Sequence, residues 1–266
     1  MPKIQANGLE MNYNEFGKEN EGTPIVLVHG LGAQAKLMEP LANYMVSNYN
    51  SHVFTVDLPG FGLSDKREDH PDTDQSYSIA SFAKDMVAWL DAVSLNKVII
   101  LGHSMGGMIV QTLAKEHPER IEKLILLCSA THVRASAIEL AFAKLLPLKT
   151  TAAIPVKRAF PKDYPKDKLA EAVKEVLAHV TKNAYVKCLV QMTEKYFDST
   201  PWLPELHFPT LVIGSENDRS LGFDMAKLLS EKIPGAILYT IRAGNHEAQL
   251  LHTEEVGTAI GKFITS

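Results

Sequence analysis

The fold is decided by residues 98–110, which read VIILGHSMGGMIV. The first four residues are apolar and mostly β-branched, as in a strand that is buried on both faces of a parallel sheet. From residue 104 to residue 117 apolar side chains recur at helical spacing, and Pro118 then stops the helix. The sequence therefore predicts a strand and a helix joined by a very sharp turn, with Ser104 at its apex.

The turn carries the pattern G-x-S-x-G, formed by Gly102, Ser104 and Gly106. Glycine is needed on both sides of the serine because the backbones of the strand and the helix nearly touch there. The serine is expected in a strained conformation above a helix N-terminus, where a developing negative charge is stabilised. In this setting the pattern predicts that Ser104 is a nucleophile.

Short apolar runs alternate with helical patterns on both sides of this turn. Strands are predicted over residues 25–28, 53–56, 98–101, 124–128, 210–213 and 236–240, with an N-terminal hairpin of residues 4–6 and 11–15 around Asn7-Gly8. Residues 79–94 have the apolar spacing of a further helix. The alternation predicts an α/β protein with a mostly parallel, doubly wound sheet.

Residues 131–200 interrupt the alternation, because they contain helical patterns around 136–146 and 168–195, a Lys/Pro-rich stretch between these, and no strand pattern. We therefore expect a core of residues 1–130 and 201–266, with 131–200 as an inserted helical cap. This cap has 12 Lys or Arg against 7 Asp or Glu, a charge of +5, whereas the rest of the chain carries −9. A solvated charged face is the plain interpretation, and electrostatic attraction of an anionic substrate is the sharper hypothesis.

Two backbone amides are candidates for binding an oxyanion. The run His29-Gly30-Leu31-Gly32 follows the strand of residues 25–28, and its glycines allow the loop to fold back over Ser104. The N–H groups of Leu31 and Met105 are then predicted to form the oxyanion hole.

The acid and the base are expected on loops after late strands. The strand of residues 210–213 leads to Asp218, with Glu216 as the runner-up, and the strand of residues 236–240 leads to His246, with His252 as its rival. The chain order of nucleophile, acid and histidine favours Asp218 and His246.

At these residues the chain resembles the α/β-hydrolase superfamily, and the resemblance covers nearly its whole length. Residues 57–65, DLPGFGLSD, are also similar to the family's D-x-x-G-x-G-x-S loop. The resemblance implies an α/β-hydrolase fold and a Ser104–His246–Asp218 triad. Family members with an aspartate nucleophile are disfavoured because Ser104 occupies that position.

The substrate class is less constrained, and a small or medium carboxylic ester is the leading expectation. Residues 246–249, HEAQ, and His252 are similar to a segment of the meta-cleavage-product hydrolases, which cut carbon–carbon bonds. Those enzymes usually carry Asn before the serine and a Gly-Pro-Gly oxyanion loop, whereas His103 and the residues 31–33, LGA, stand here. The family also usually has Gly where Asn245 precedes the histidine. A carbon–carbon hydrolase, an enol-lactonase and a ligand receptor on a hydrolase fold remain alternatives.

Composition narrows the remaining classes of function. The chain has 266 residues, a net charge of −4 and two cysteines. Two scattered cysteines do not form a disulfide framework, and the N-terminus has no signal-peptide pattern, so we expect a cytoplasmic protein. The net charge offers no general attraction to nucleic acid. No run of 18 apolar residues occurs, so we expect no membrane span. The expected partner is a small molecule, and the oligomeric state is left open.

Motifs for metals and cofactors are incomplete. His246-Glu247 begins like a zinc-binding H-E-x-x-H motif, but residue 250 is Leu. Gly60 and Gly62 lack the third glycine of a dinucleotide-binding loop. We therefore expect neither a metal nor a cofactor.

Overall fold

One eight-stranded sheet forms the centre of the molecule in the computed structural model, which describes residues 2–266. Its strands are β1 (Lys3–Ala6), β2 (Leu9–Phe16), β3 (Ile25–Val28), β4 (Val53–Val56), β5 (Val98–His103), β6 (Ile121–Leu127), β7 (Thr210–Ser215) and β8 (Ile237–Ile241). They lie in the order β1-β2-β4-β3-β5-β6-β7-β8. The pairs β1–β2 and β2–β4 are antiparallel, and the other five pairs are parallel. The predicted fold class is confirmed.

Helices connect the strands. They are α1 (Glu39–Tyr49), α2 (Ile79–Ala92), α3 (Met105–Glu116), α4 (Ala137–Leu145), α5 (Leu148–Ala159), α6 (Lys166–His179), α7 (Lys182–Gln191), α8 (Phe223–Lys232), α9 (Ala248–Leu251) and α10 (Thr253–Ile264). Short 3-10 turns occupy Ala35–Met38, Arg67–Asp69, Pro118–Arg120 and Leu203–Glu205.

Two apolar layers cover the two faces of the sheet. Successive side chains of β3 point to opposite faces, so Val26 and Val28 pack in the layer with α2 and α3, whereas Ile25 and Leu27 pack in the layer with α1 and α10. All four side chains are buried, which explains why this strand is apolar throughout instead of alternating.

The predicted strand bounds hold for β3 and β4, and differ for β6. This strand begins at Ile121, three residues before the predicted start at residue 124. Glu122 and Lys123 interrupt the apolar run because they lie at the strand's open end. There Thr23 donates to Glu122, and the Lys123 ammonium donates to carbonyls of the C-terminal segment.

Four helices, α4 to α7, lie between β6 and β7 in the chain, where the sequence predicts a helical insertion. Two details differ from the prediction. The Lys/Pro-rich stretch contains α5, although Pro155 stands inside this helix. The single pattern over 168–195 is divided into α6 and α7 at Val180, which forms an isolated bridge with Phe61, after which Thr181 caps α7 by accepting from the Ala184 amide.

The inserted helices are attached to loops at the end of the sheet where the parallel strands finish. On one side Glu68 accepts hydrogen bonds from Thr181 and Asn183 at the start of α7. On the other side the end of α5 is bound by Arg219, which donates to the Lys157 carbonyl at 2.9 Å, and by the Glu247 amide. These contacts attach α7 and α5 to the loops that follow β4, β7 and β8.

Candidate active site

Ser104 stands at the apex of the turn between β5 and α3, with φ 54° and ψ −119°. A Cβ added to Gly102 would lie 2.3 Å from the Gly106 carbonyl oxygen, and one added to Gly106 would lie 2.4 Å from the Val28 carbonyl oxygen. Only glycine fits at either position, as the sequence predicts. The close contact holds the serine backbone in a strained region that a non-glycine residue adopts only when its surroundings enforce it.

A continuous hydrogen-bonded chain joins the three residues that the sequence singled out. His246 Nε2 lies 2.9 Å from Ser104 Oγ, and His246 Nδ1 lies 2.8 Å from Asp218 Oδ2. All three side chains are buried. Because a carboxylate only accepts, Nδ1 carries the proton and Nε2 is free to accept the serine hydroxyl proton.

Asp218 is held in place by the loop that follows β7. Its Oδ1 accepts from the amides of Ser220 at 2.8 Å and Leu221 at 3.1 Å, while Oδ2 faces His246. Burial alone would raise the pKa of this carboxyl. The neighbouring His246 and the two amides outweigh burial and lower the pKa below its ordinary value. Asp218 is therefore ionised throughout the neutral range.

The pKa of His246 is raised above its ordinary value. Burial opposes protonation of this imidazole, but the charge and hydrogen bond of Asp218, helped by the nearby Glu247, favour the protonated form more strongly. The same contacts would stabilise an imidazolium formed during a reaction.

The two runner-up residues lie elsewhere. Glu216 is exposed, and its backbone amide is bonded to the Ile241 carbonyl. The half-buried His252 ring faces Glu255, with 3.9 Å between Nδ1 and the nearer carboxylate oxygen. The structure brings Asp218 and His246 to Ser104, and it places Glu216 and His252 outside this hydrogen-bonded chain.

The loop of residues 29–32 lies against the serine. A Cβ added to Gly30 would come within 2.9 Å of Ser104 Cβ. Met105 is the first residue of α3, where backbone N–H groups have no partner inside the helix. Of the two predicted oxyanion donors, the Leu31 amide thus belongs to the loop that lies against Ser104, and the Met105 amide belongs to the first residue of α3.

His29 anchors this loop. The Leu58 amide donates to its Nε2 at 3.1 Å, so Nδ1 donates to the Gly30 carbonyl at 2.8 Å. Burial lowers the pKa of His29, which is consistent with a neutral, structural histidine. Asp57 also fixes loop backbone, because its carboxylate accepts hydrogen bonds from the amides of Ala35 at 2.6 Å and Leu63 at 2.9 Å. The D-x-x-G-x-G-x-S segment thus supports the loop of residues 29–32.

Three contacts around the site were not predicted from the sequence. His103 Nε2 lies 3.0 Å from the His246 carbonyl, and burial lowers the pKa of His103 to about 4, so this neutral ring donates to the histidine loop. Ser129 donates to the Ser104 carbonyl at 2.9 Å. Glu247 lies beside His246. The sequence shows that His103 lies inside G-x-S-x-G, but it does not show that its partner is the carbonyl of His246, 143 residues away.

One group of potential metal ligands occurs within residues 2–266. Ligand atoms of His103, His246 and Glu247 lie within 4.8 Å of one another. Both ring nitrogens of His246 already face Ser104 and Asp218, so a metal ion bound there would compete with that hydrogen-bonded chain.

Comparison with known proteins identifies the family of the chain. Residues 23–156, half of the chain, match the family model described as the alpha/beta hydrolase fold. The chain belongs to the α/β-hydrolase family. Among its relatives in this family is the uncharacterized hydrolase YugF of Bacillus subtilis, 24% identical over 98% of this chain and 97% of the relative. Another is the 2-hydroxymuconate semialdehyde hydrolase of Pseudomonas putida, 25% identical over 98% of this chain and 93% of the relative.

Solved structures of the family are similar over the full length. The enol-lactonase from Burkholderia xenovorans LB400 has a TM-score of 0.87 at 23% identity and covers 100% of both chains. At this identity the likeness establishes the fold alone. The family model and the named relatives together support a hydrolase of the α/β fold. No helix among the described residues is long and apolar enough to cross a membrane.

Proposed function

We propose that this protein is a serine hydrolase that cleaves small or medium carboxylic esters through an acyl-enzyme intermediate. The proposal rests on two hydrogen bonds between buried side chains. His246 Nε2 lies 2.9 Å from Ser104 Oγ, and His246 Nδ1 lies 2.8 Å from Asp218 Oδ2. This is the arrangement that nucleophilic catalysis by serine requires: a nucleophile, a base within hydrogen-bond reach and a group that orients the base.

The first half of the proposed reaction acylates the enzyme. His246 Nε2 takes the hydroxyl proton as Ser104 Oγ attacks the ester carbonyl. The carbonyl oxygen becomes an oxyanion, which the N–H groups of Leu31 and Met105 stabilise. Asp218 holds the imidazolium, which returns the proton to the leaving alcohol as the carbon–oxygen bond of the ester breaks.

The second half releases the acid. Water enters where the alcohol left, His246 removes one of its protons, and the hydroxide attacks the acyl carbon. The second tetrahedral intermediate collapses, the bond to Ser104 Oγ breaks, and His246 returns the proton to the serine. The reaction consumes one ester and one water and gives one acid and one alcohol, and it requires no cofactor.

We propose the segment of residues 131–200 as a cap over this site. Its contacts with the loops that carry the triad support this role, because α5 is bound to Arg219 and Glu247, which directly follow Asp218 and His246 in the chain. Residues 1–130 and 201–266 are the proposed catalytic core.

Carbon–carbon bond hydrolysis is the second candidate. The 25% identity to the 2-hydroxymuconate semialdehyde hydrolase over 98% of this chain favours it. A panel of p-nitrophenyl esters of rising chain length, run beside a meta-cleavage dienoate and an enol-lactone, separates the candidates by kcat/KM.

The central test is Ser104→Ala. We expect kcat on the best ester to fall by about 10⁴–10⁶, because the loss of one member disables the triad as a unit. The thermal unfolding temperature should stay within a few degrees of the wild type, which controls for misfolding. Wild type should also show a burst of p-nitrophenol equal to the enzyme concentration, and a ligand receptor would not. A variant that keeps a tenth of the wild-type turnover would contradict the proposal.

A further inference from the structure

The helix α4 has an apolar side that faces solvent. Ile138, Phe142 and Leu145 are 69%, 56% and 79% exposed. Their spacing of four and three residues puts them on one stripe of the helix surface. A contiguous set of large exposed apolar side chains marks an interaction surface, whereas single ones are ordinary. We define these three residues as the α4 stripe.

The stripe is a property of a well-formed helix. Ser136 and Glu139 form a reciprocal capping box that fixes the start of α4. Ala143 is the single buried residue of the helix, and the half-buried Leu140 lies on the same inner side. Because this inner side already attaches α4 to the protein, the stripe on the opposite side is left for something outside the chain.

Basic residues are concentrated in the part of the chain that carries the stripe. Residues 134–162 contain six basic side chains and one acidic side chain, a charge of +5, and the six are Arg134, Lys144, Lys149, Lys157, Arg158 and Lys162. All six are exposed, and within residues 2–266 none of them forms a salt bridge. Residues 163–200, the other part of the insertion, contain six basic and six acidic side chains and are neutral. The excess positive charge is therefore confined to the part that carries the stripe.

The charge of Arg158, near the end of α5, acts on Glu139 in the first turn of α4. The pKa of Glu139 is lowered by its hydrogen bonds with Ser136 and by the charge of Arg158. Ile154 of α5 is a further exposed apolar side chain of this part of the chain, at 55%.

We infer that the α4 stripe and its basic surroundings dock on an anionic lipid surface. A helix that exposes an apolar face beside cations binds in the plane of an anionic membrane interface, with its apolar side chains among the lipids. Each Lys or Arg near an anionic surface strengthens binding about fivefold. The remainder of the chain, at −9, would be turned away from the lipid.

A second copy of the chain fits the same surface less well. In a two-fold symmetric pair each patch packs against the same patch of the other copy, so two regions of +5 would face one another. An anionic lipid surface removes this repulsion and also accepts the apolar stripe. We therefore commit to lipid, and the experiment below makes self-association one of its outcomes.

The test is flotation of the full chain with vesicles of phosphatidylcholine containing 30 mol% phosphatidylglycerol. Wild type is expected to float with these vesicles and to bind about tenfold or more weakly to pure phosphatidylcholine vesicles or at 1 M salt. The double variant Phe142→Ser/Leu145→Ser should bind about tenfold or more weakly, because two apolar side chains no longer enter the interface. Lys144→Glu/Lys149→Glu should lose about 25-fold or more.

The matched control is Ile237→Ser/Leu238→Ser on β8. These two apolar residues are also exposed but lie outside the basic region, so their replacement should leave flotation unchanged. Flotation of Ser104→Ala should equal the wild type, which separates docking from catalysis. The inference is overturned if wild type stays in the lipid-free fraction or if the control loses as much as the stripe variant. It is also overturned if light scattering shows a dimer that the stripe variant converts to a monomer.

Discussion

The turn after β5 and the helix α4 are built in opposite ways. Every residue from 98 to 114 is buried, and glycines at 102 and 106 let two backbones meet at distances that exclude any side chain. In α4, by contrast, Ala143 is the single buried residue, and a capping box rather than packing fixes where the helix starts. Tight packing therefore fixes the geometry of the turn after β5, whereas few contacts hold α4.

The difference in packing suits the two regions to different tasks, catalysis in the turn after β5 and binding in α4. A serine that must be placed within tenths of an ångström of its base benefits from a rigid surrounding. A surface that meets variable partners or substrates does not need such precision, and loosely packed elements are where such functions are usually found. We therefore expect substitutions in the two regions to have effects of very different size.

The largest contrast is expected between two carboxylates on the same loop. Asp218→Asn should lower kcat about 10⁴-fold, because the amide no longer holds the His246 tautomer or stabilises its imidazolium. Glu216→Gln, two residues away and exposed, should change kcat less than twofold. Steady-state kinetics on the same ester measures both. If Glu216→Gln were the more damaging of the two, the acid would be Glu216 and the proposed triad would be wrong.

A smaller contrast is expected between two isoleucines in the compared helices. Ile109→Ala in α3 should lower the free energy of unfolding by about 2–5 kcal/mol, because it opens a cavity in a fully buried layer. Ile138→Ala in α4 should change it by less than about 0.5 kcal/mol, because that side chain is already in water and alanine favours the helix. Urea unfolding followed by circular dichroism compares them. Equal losses would mean that α4 is packed more tightly than its exposure indicates.

The sequence predicted the first region well because its determinants are local. The positions of Gly102, Ser104 and Gly106 directly after an apolar strand are sufficient to predict the strand, the turn and the helix. Asp218 and His246 were predicted from their order along the chain, and the geometry brings both to the serine. Contacts such as that of His103 with the His246 loop depend on the folded arrangement and have no local signal.

The insertion was predicted less well because its helices depend on neighbours. Pro155 argues against a helix by propensity, but α5 continues through it, and the end of α5 is bound by Arg219. The break at Val180 follows from a bridge to Phe61, a residue 119 positions earlier. Thr181 was a visible N-cap signal that would have divided the pattern correctly.

The smallest effect that we predict is a shift in the pH profile, and it tests the electrostatics of the rigid region. The base must be neutral to accept the serine proton, so kcat/KM should fall tenfold per pH unit below the pKa of His246. That pKa is raised above the ordinary value of about 6.5. Glu247→Gln removes one of the charges that raise it, so the acid limb should move to lower pH while most of the activity remains. His103, with a pKa of about 4, titrates too low to produce this limb, and a profile unchanged by Glu247→Gln would show that Glu247 does not influence the base.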